Sequence, residues 1–219
     1  MNSKERIEII TSWIKDYADT HNIESLVVGV SGGIDSAVVS TLCALTGIQT
    51  YVLTMPIRQR QDQHDRSINH CIQLLEKHSN VHWETIDLTK TFESFENLFT
   101  ANNKLALANS RARLRMTTLY QVAQERNGIV VGTGNRVEDF GVGFFTKYGD
   151  GGVDISPIAD CTKTQVWELG EHLGILKEII DADPTDGLWN DGRNDLDQLG
   201  MTYKDLEKVM VNKNDPKYT

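Results

Sequence analysis

Residues 4–20 place Ile7, Ile10, Trp13 or Ile14, and Tyr17 at helical spacing with charged residues on the other side, which predicts an amphipathic first helix. Leu26-Val27-Val28-Gly29-Val30 is a short continuous apolar run, the pattern of a strand buried on both faces of a parallel sheet. It stops at Ser31-Gly32-Gly33, and from Ser36 to Leu45 the pattern turns helical again, ending near Gly47. Tyr51–Met55 repeats the strand signature. Ile68, Cys71, Ile72 and Leu75 form a second helical stripe, and Val81–Leu88 reads as a third strand. Phe92, Phe95 and Phe99 predict a short helix, Leu105–Gln124 a long one, and Gly128–Thr133 another buried strand.

Strands alternating with helices at this spacing predict an α/β fold: a doubly wound, Rossmann-like parallel sheet with helices on both faces and ligands outside the carboxyl ends of the strands. Residues 133–157 are rich in glycine and carry no sustained periodicity, but the interleaved Phe140, Phe144, Phe145 and Tyr148 argue for an ordered functional loop. Thr162-Lys163-Thr164-Gln165 has the form of a capping box opening a helix through Val166, Leu169 and Leu173. A final helix is expected after Thr202, carrying Leu206 and Val209.

The 219 residues are expected to form a single domain, 1–219, of ordinary globular composition, with 39% hydrophobic and 24% charged residues. No apolar stretch is long enough to span a bilayer, and the charged start lacks the apolar core of a signal peptide, so a cytoplasmic protein is expected. Cys43, Cys71 and Cys161 suit neither a disulfide framework nor a zinc site and are read as reduced core residues. A net charge of −9 argues against a broad nucleic-acid surface. An anionic ligand therefore requires a local basic cluster.

A strand that ends in Ser-Gly-Gly and turns into a helix offers unpaired backbone N–H groups and the positive end of the helix dipole to one anion. Glycine supplies unusual backbone angles and lets phosphate oxygens approach the chain. Asp35 is the informative residue, because a carboxylate beside a phosphate is repulsive unless a cation lies between them. The Walker pattern is absent. Alone, Ser-Gly-Gly is equally a tight turn with a serine cap.

Val30-Ser31-Gly32-Gly33-Ile34-Asp35-Ser36 resembles the Ser-Gly-Gly-x-Asp-Ser loop of the N-type ATP pyrophosphatases, in which the loop grips the pyrophosphate released when a substrate is adenylated. Four further segments are similar to bacterial NAD synthetases: Gly132-Thr133-Gly134-Asn135-Arg136-Val137-Glu138-Asp139, Gly143–Asp154, Ala112–Met116 and Asp183–Trp189. The resemblance implies an adenine nucleotide alpha hydrolase-like fold and ATP-dependent amidation of deamido-NAD by ammonia, giving NAD, AMP and pyrophosphate. It implies that Asp35 and Glu138 hold magnesium. It further implies that residues 30–36, Thr133, Lys163 and Thr185 contact ATP, and that Arg113, Lys147 and Asp154 contact deamido-NAD. Asp35 and Lys163 would stabilise charge in the reaction, and Asp150 or Asp154 would orient ammonium or take its proton. A homodimer is implied as well. With no glutamine-hydrolysing domain in the chain, free ammonia, or a separate ammonia-supplying protein, is the expected nitrogen source.

Plainer readings stand beside these. Arg111 and Arg115 share a helical face as a solvated pair, leaving Arg113 as the ligand. As lesser alternatives, Glu138 beside Asp139 is an ordinary solvated acidic pair and Lys163 an exposed capping-box residue, while Trp189 is read as a packing residue. The rival functions are another member of the pyrophosphatase group, such as a GMP synthetase subunit or a tRNA-thiolating enzyme, and a module that senses ATP without turnover. The sequence departs from the bacterial NAD synthetases in its tail, Asn214–Thr219, which lacks their His-Lys pair, and in a stretch at Glu96–Asn103 shorter than expected.

Overall fold

The computed structural model describes residues 1–100, 103–185 and 195–211. Trp189 and the tail after Val211 therefore lie outside the described residues. In chain order the elements are α1 (Ser3–His21), β1 (Ser25–Gly29), α2 (Ile34–Leu45), β2 (Gln49–Thr54), α3 (Gln61–Lys77), β3 (Val81–Thr85), α4 (Thr89–Glu96), α5 (Lys104–Glu125) and β4 (Gly128–Val130). A π-helical turn, Val137–Val142, follows, and then α6 (Lys163–Leu173), α7 (Lys177–Ile180), α8 (Asp195–Leu199) and α9 (Tyr203–Val211).

The four strands are parallel and lie in the order β3-β2-β1-β4. The chain thus winds outward from β1 in one direction through β2 and β3, then crosses back to place β4 on the other side of β1. That reversal opens a crevice above the carboxyl ends of β1 and β4, where doubly wound sheets bind ligands. The alternation of side chains along β1 explains why its sequence is apolar throughout. Leu26 and Val28 pack with α1, α2 and α6, while Val27 packs with α5 and with Leu53 and Val130 of the neighbouring strands.

Several boundaries differ from the sequence pattern. The third and fourth strands end early, at Thr85 and Val130, although Val131 still bridges Ile155 in parallel. Helix α3 is rotated from its expected stripe: it buries Ser67, His70, Cys71 and Leu74, leaving Ile72 and Leu75 exposed. The reason is a polar bond inside the core. His70 Nε2 lies 2.8 Å from Ser40 Oγ, tying α3 to α2. Burial lowers the His70 pKa to about 4, so the ring stays neutral. The capping box at Thr162 forms, with its N–H donating to Gln165 Oε1 at 3.0 Å. All three cysteines are buried and free. No helix among the described residues is long and apolar enough to cross a membrane.

Gly32 matters here for a reason beyond phosphate access. It has φ +87°, and a Cβ there would collide with the carbonyl oxygen of Gln63 and lie 3.2 Å from the amide nitrogen of Ser67, both backbone atoms of α3. The loop is wedged against a neighbouring helix. Gly32→Ala is therefore expected to lower stability by about 2 kcal/mol or more, the left-handed strain and the clash adding. Chemical denaturation reads this as a lower midpoint, and a midpoint equal to the parent's would show that the loop is not wedged.

Candidate active site

The segment Ser31–Ser36 joins β1 to α2 and is held open by its own hydroxyls. Ser36 Oγ donates to the Gly33 carbonyl at 3.0 Å and accepts from the Ser31 amide at 3.2 Å, while the two serine oxygens lie 3.1 Å apart. From outside the loop, Gln59 donates to the Ser31 carbonyl at 3.1 Å. Helix α2 begins at Gly33 with no side chain capping it, so its first N–H groups face the crevice.

The crevice is a cavity of about 510 Å³, inside the range of small-molecule sites. Residues 30–36 line it, as do Thr133, Glu138, Asp150, Lys163 and Thr185. Its acidic side chains, Asp35, Glu138, Asp139, Asp150, Asp183 and Asp195, outnumber its basic ones, Arg66, Arg115 and Lys163. A polyphosphate entering such a lining needs added positive charge.

At the centre stands Lys163, the first residue of α6, only 3% exposed. Its Nζ donates to Asp35 Oδ2 at 2.5 Å and to Glu138 Oε1 at 2.9 Å. Asn135 completes the bracing: its Nδ2 donates to Asp35 Oδ1 at 3.1 Å, and its Oδ1 accepts the amides of Val137 and Glu138. Tyr203 of α9 lays its ring under the ammonium, 4.9 Å from Nζ to centroid. Its hydroxyl donates toward Glu138 Oε1 at 2.7 Å and Asp195 Oδ2 at 2.6 Å. Burial raises the Asp35 pKa. At Glu138 burial acts the same way, but Lys163 and the Tyr203 hydroxyl outweigh it and lower the pKa. Burial, then Glu138 and Asp195, drive the Tyr203 pKa upward, so its hydroxyl remains a donor.

Two of the plainer readings are thereby set aside. Lys163 is a buried ion-pair partner, not an exposed capping residue, because α6 starts at the mouth of the crevice rather than on the outer surface. Glu138 is bonded within the cluster, while Asp139 turns its half-buried carboxyl to the cavity. The pKa of Asp139 is raised to about 6 by burial, then by Glu138, Asp150 and Asp35. Among the described residues no three His, Cys, Asp or Glu side chains converge on one metal position. Two carboxylates already bridged by an ammonium nevertheless suit a divalent cation whose other ligands are phosphate oxygens and water.

The remaining assigned residues gather elsewhere. Arg113, Lys147 and Asp154 do not line the cavity. Arg113 is exposed on α5 and its Nε donates to the Lys147 carbonyl at 3.0 Å. Both oxygens of Asp154 are engaged, Oδ1 by the Tyr120 hydroxyl at 3.0 Å and Oδ2 by the Val130 amide at 2.8 Å. Asp150 accepts the Thr146 amide at 3.0 Å.

Sequence reasoning missed Tyr203, Asn135 and Arg115. Arg115 is not part of a solvated pair: it is half-buried, lines the cavity, and donates from Nε to the Met55 carbonyl at 2.9 Å. Burial, with Arg111 nearby, lowers its pKa to about 10. A signal existed, because Arg115 stands four and seven residues before the buried Leu119 and Val122. Asn135 lay within a recognised motif without a role, and nothing in the sequence marked Tyr203.

Comparison with known proteins supplies the context. A family model described as NAD synthase matches residues 6–218. The NH(3)-dependent NAD(+) synthetase of Carboxydothermus hydrogenoformans is 38% identical over 218 residues, covering 96% of this chain and 86% of that protein. Among solved structures, an NMN synthetase from Francisella tularensis superposes with a TM-score of 0.89 at 35% identity, covering 98% of this chain and 88% of the other. An NAD+ synthetase from Burkholderia pseudomallei does so with a TM-score of 0.77 at 25% identity, covering 96% and 81%. The chain is an enzyme and belongs to the NAD synthase family.

Proposed function

We propose that this chain amidates the nicotinate carboxylate of deamido-NAD, using ATP and ammonia and releasing AMP and pyrophosphate. The observation that carries the reading is the meeting, in one cavity, of an uncapped phosphate loop with the Asp35–Lys163–Glu138 cluster. A carboxylate oxygen attacks the α-phosphorus of ATP and the bond to pyrophosphate breaks. Ammonia then attacks the acyl carbon, loses a proton, and AMP departs. No protein nucleophile is needed, so positioning and charge stabilisation provide the rate.

The amides at the start of α2, with Ser31 and Ser36, take the oxygens of the departing pyrophosphate. Asp35 and Glu138 would hold magnesium, which supplies charge neutralisation on the phosphates. Lys163 neutralises the same two carboxylates and would become available to phosphate oxygens once they have another cation. Thr133 and Thr185 line the ATP side. Asp150, which lines the cavity, would orient ammonium, whereas Asp154 braces β4. Arg113, Lys147 and Asp154 offer the rest of the acceptor a polar face outside the cavity. A cytoplasmic homodimer formed by a single domain per chain completes the reading.

A second reading of the acceptor rests on the Francisella structure, an NMN synthetase at 35% identity. The same chemistry on nicotinate mononucleotide would need no change in the phosphate loop or in the cluster. The GMP synthetase and ATP-sensor alternatives have no comparable support.

Purified protein with ATP, magnesium and ammonium is expected to form NAD, AMP and pyrophosphate in equal amounts from deamido-NAD. A higher kcat/KM for nicotinate mononucleotide would transfer the assignment to the second reading, and no AMP with either acid would sink both. Asp35→Asn is expected to lower kcat/KM by about a hundredfold or more while the chain stays folded by circular dichroism. Full activity in that variant would remove Asp35 from the reaction.

A further inference from the structure

Glu138 occupies a π-helical turn, Val137–Val142, and such turns present side chains from an irregular backbone. Lys163 and Tyr203 both donate to Oε1 of its carboxylate, and the Asn135 side chain adds a further bond to the group. On the reading above, Lys163 transfers its charge to phosphate when substrate binds. The hydroxyl of Tyr203 then remains as a bond to Oε1.

Tyr203 is built for that task. It is 7% exposed and packs with Val137 of the π turn and with Leu206 of its own helix. Its ring meets Trp167 of α6 edge-on, with centroids 6.0 Å apart and planes at 87°. A phenol hydroxyl has one proton to give, and here two carboxylate oxygens lie within 2.7 Å of it. Glu138 and Asp195 therefore compete for that one proton, and the contact with Glu138 is the one that bears on the cation site. The ring fixes where the oxygen is, and Glu138 is the group that is aimed.

We infer that Tyr203 is a positioning residue for the cation-binding carboxylate, orienting Glu138 in the cavity and thereby making the docking of α9 a condition of tight cation binding. The inference rests on the reading of Asp35 and Glu138 as the cation ligands. Outer-shell groups of this kind matter because a carboxylate free to rotate must be ordered again each time the cation binds. A tyrosine that merely fills the core would affect stability but not cation affinity.

Tyr203→Phe separates the two, since it keeps the ring, its contact with Trp167 and the face under Lys163, and deletes one oxygen. The full chain is titrated with Mn2+ in the presence of a non-hydrolysable ATP analogue, with free Mn2+ read by electron paramagnetic resonance. The magnesium dependence of pyrophosphate release is measured alongside, and Glu138→Gln sets the scale. Tyr203→Phe is expected to weaken Mn2+ binding by about ten- to a hundredfold and to raise the magnesium requirement by a similar factor. Excess magnesium should then recover much of the lost rate. If Glu138→Gln weakens Mn2+ binding but Tyr203→Phe only lowers the melting temperature, the positioning role is wrong while the cation site stands. If neither variant changes Mn2+ binding, the assignment of Glu138 falls and takes this inference with it.

Discussion

Taking an ammonium and two carboxylates out of water costs more than their mutual attraction returns, unless further hydrogen bonds satisfy what remains. Around Lys163 those bonds come from four separate parts of the chain. Asp35 is delivered by α2, Asn135 and Glu138 by the segment after β4, Lys163 by α6, and Tyr203 by α9. Each part has its own apolar contact with the body of the protein, but only the buried charges require all four to arrive together. Replacing the cluster with hydrocarbon of the same shape would cost little in stability. Its presence therefore points to chemistry: a charge that can be exchanged for another when anions enter.

The sheet explains why the exchange happens where it does. Because β4 lies on the far side of β1 from β2, the loops leaving β1 and β4 diverge and leave the crevice open. The phosphate loop leaves one strand, and Asn135 and Glu138 follow the other. Close packing then fixes the distance between them. Gly170 of α6 has no Cβ because Ile34, the first residue of α2, occupies that space, with Ile34 Cδ1 only 2.6 Å from where the Cβ would be. The start of α2, which carries Asp35, is thus pressed against the later turns of α6, the helix that Lys163 opens.

How much of this was legible in the sequence follows from the physics of each part. The central strand β1 was plain because burial on both faces leaves an unbroken apolar run, as in Leu26–Val28. The turn from β1 into α2 was plain because serine and two glycines break the apolar run just before the helical pattern resumes. The rotation of α3 was hidden because its core contact is polar: His70 and Ser67 are buried where a hydrophobic stripe was sought. Arg115 was hidden for the same reason, a charged residue on a buried face. The burial of Lys163 between two carboxylates could not be read from its local sequence, since a capping-box lysine is ordinarily solvated. Tyr203 was beyond reach, because its meaning depends on Glu138, 65 residues away, and on Asp195, 8 residues away.

Helix α5 bears on which acceptor is used. Arg113 and Arg115 are two positions apart, hence about 200° around the helix, and they face opposite sides. Arg115 looks into the cavity, while Arg113 and Tyr120 look outward to the segment carrying Lys147 and Asp154. The helix is a wall between the place where ATP would react and the face that would receive the rest of the acceptor. Both candidate acceptors present the same nicotinate carboxylate and the same adjoining ribose phosphate, so nothing at the phosphate loop or the Lys163 cluster can tell them apart. On that proposal discrimination would arise beyond the wall, where the dinucleotide has an adenosine phosphate to bury and the mononucleotide has none. Two proteins alike in cavity and sheet can thus differ in acceptor through that outer face alone, and overall fold similarity is the wrong quantity to decide between them.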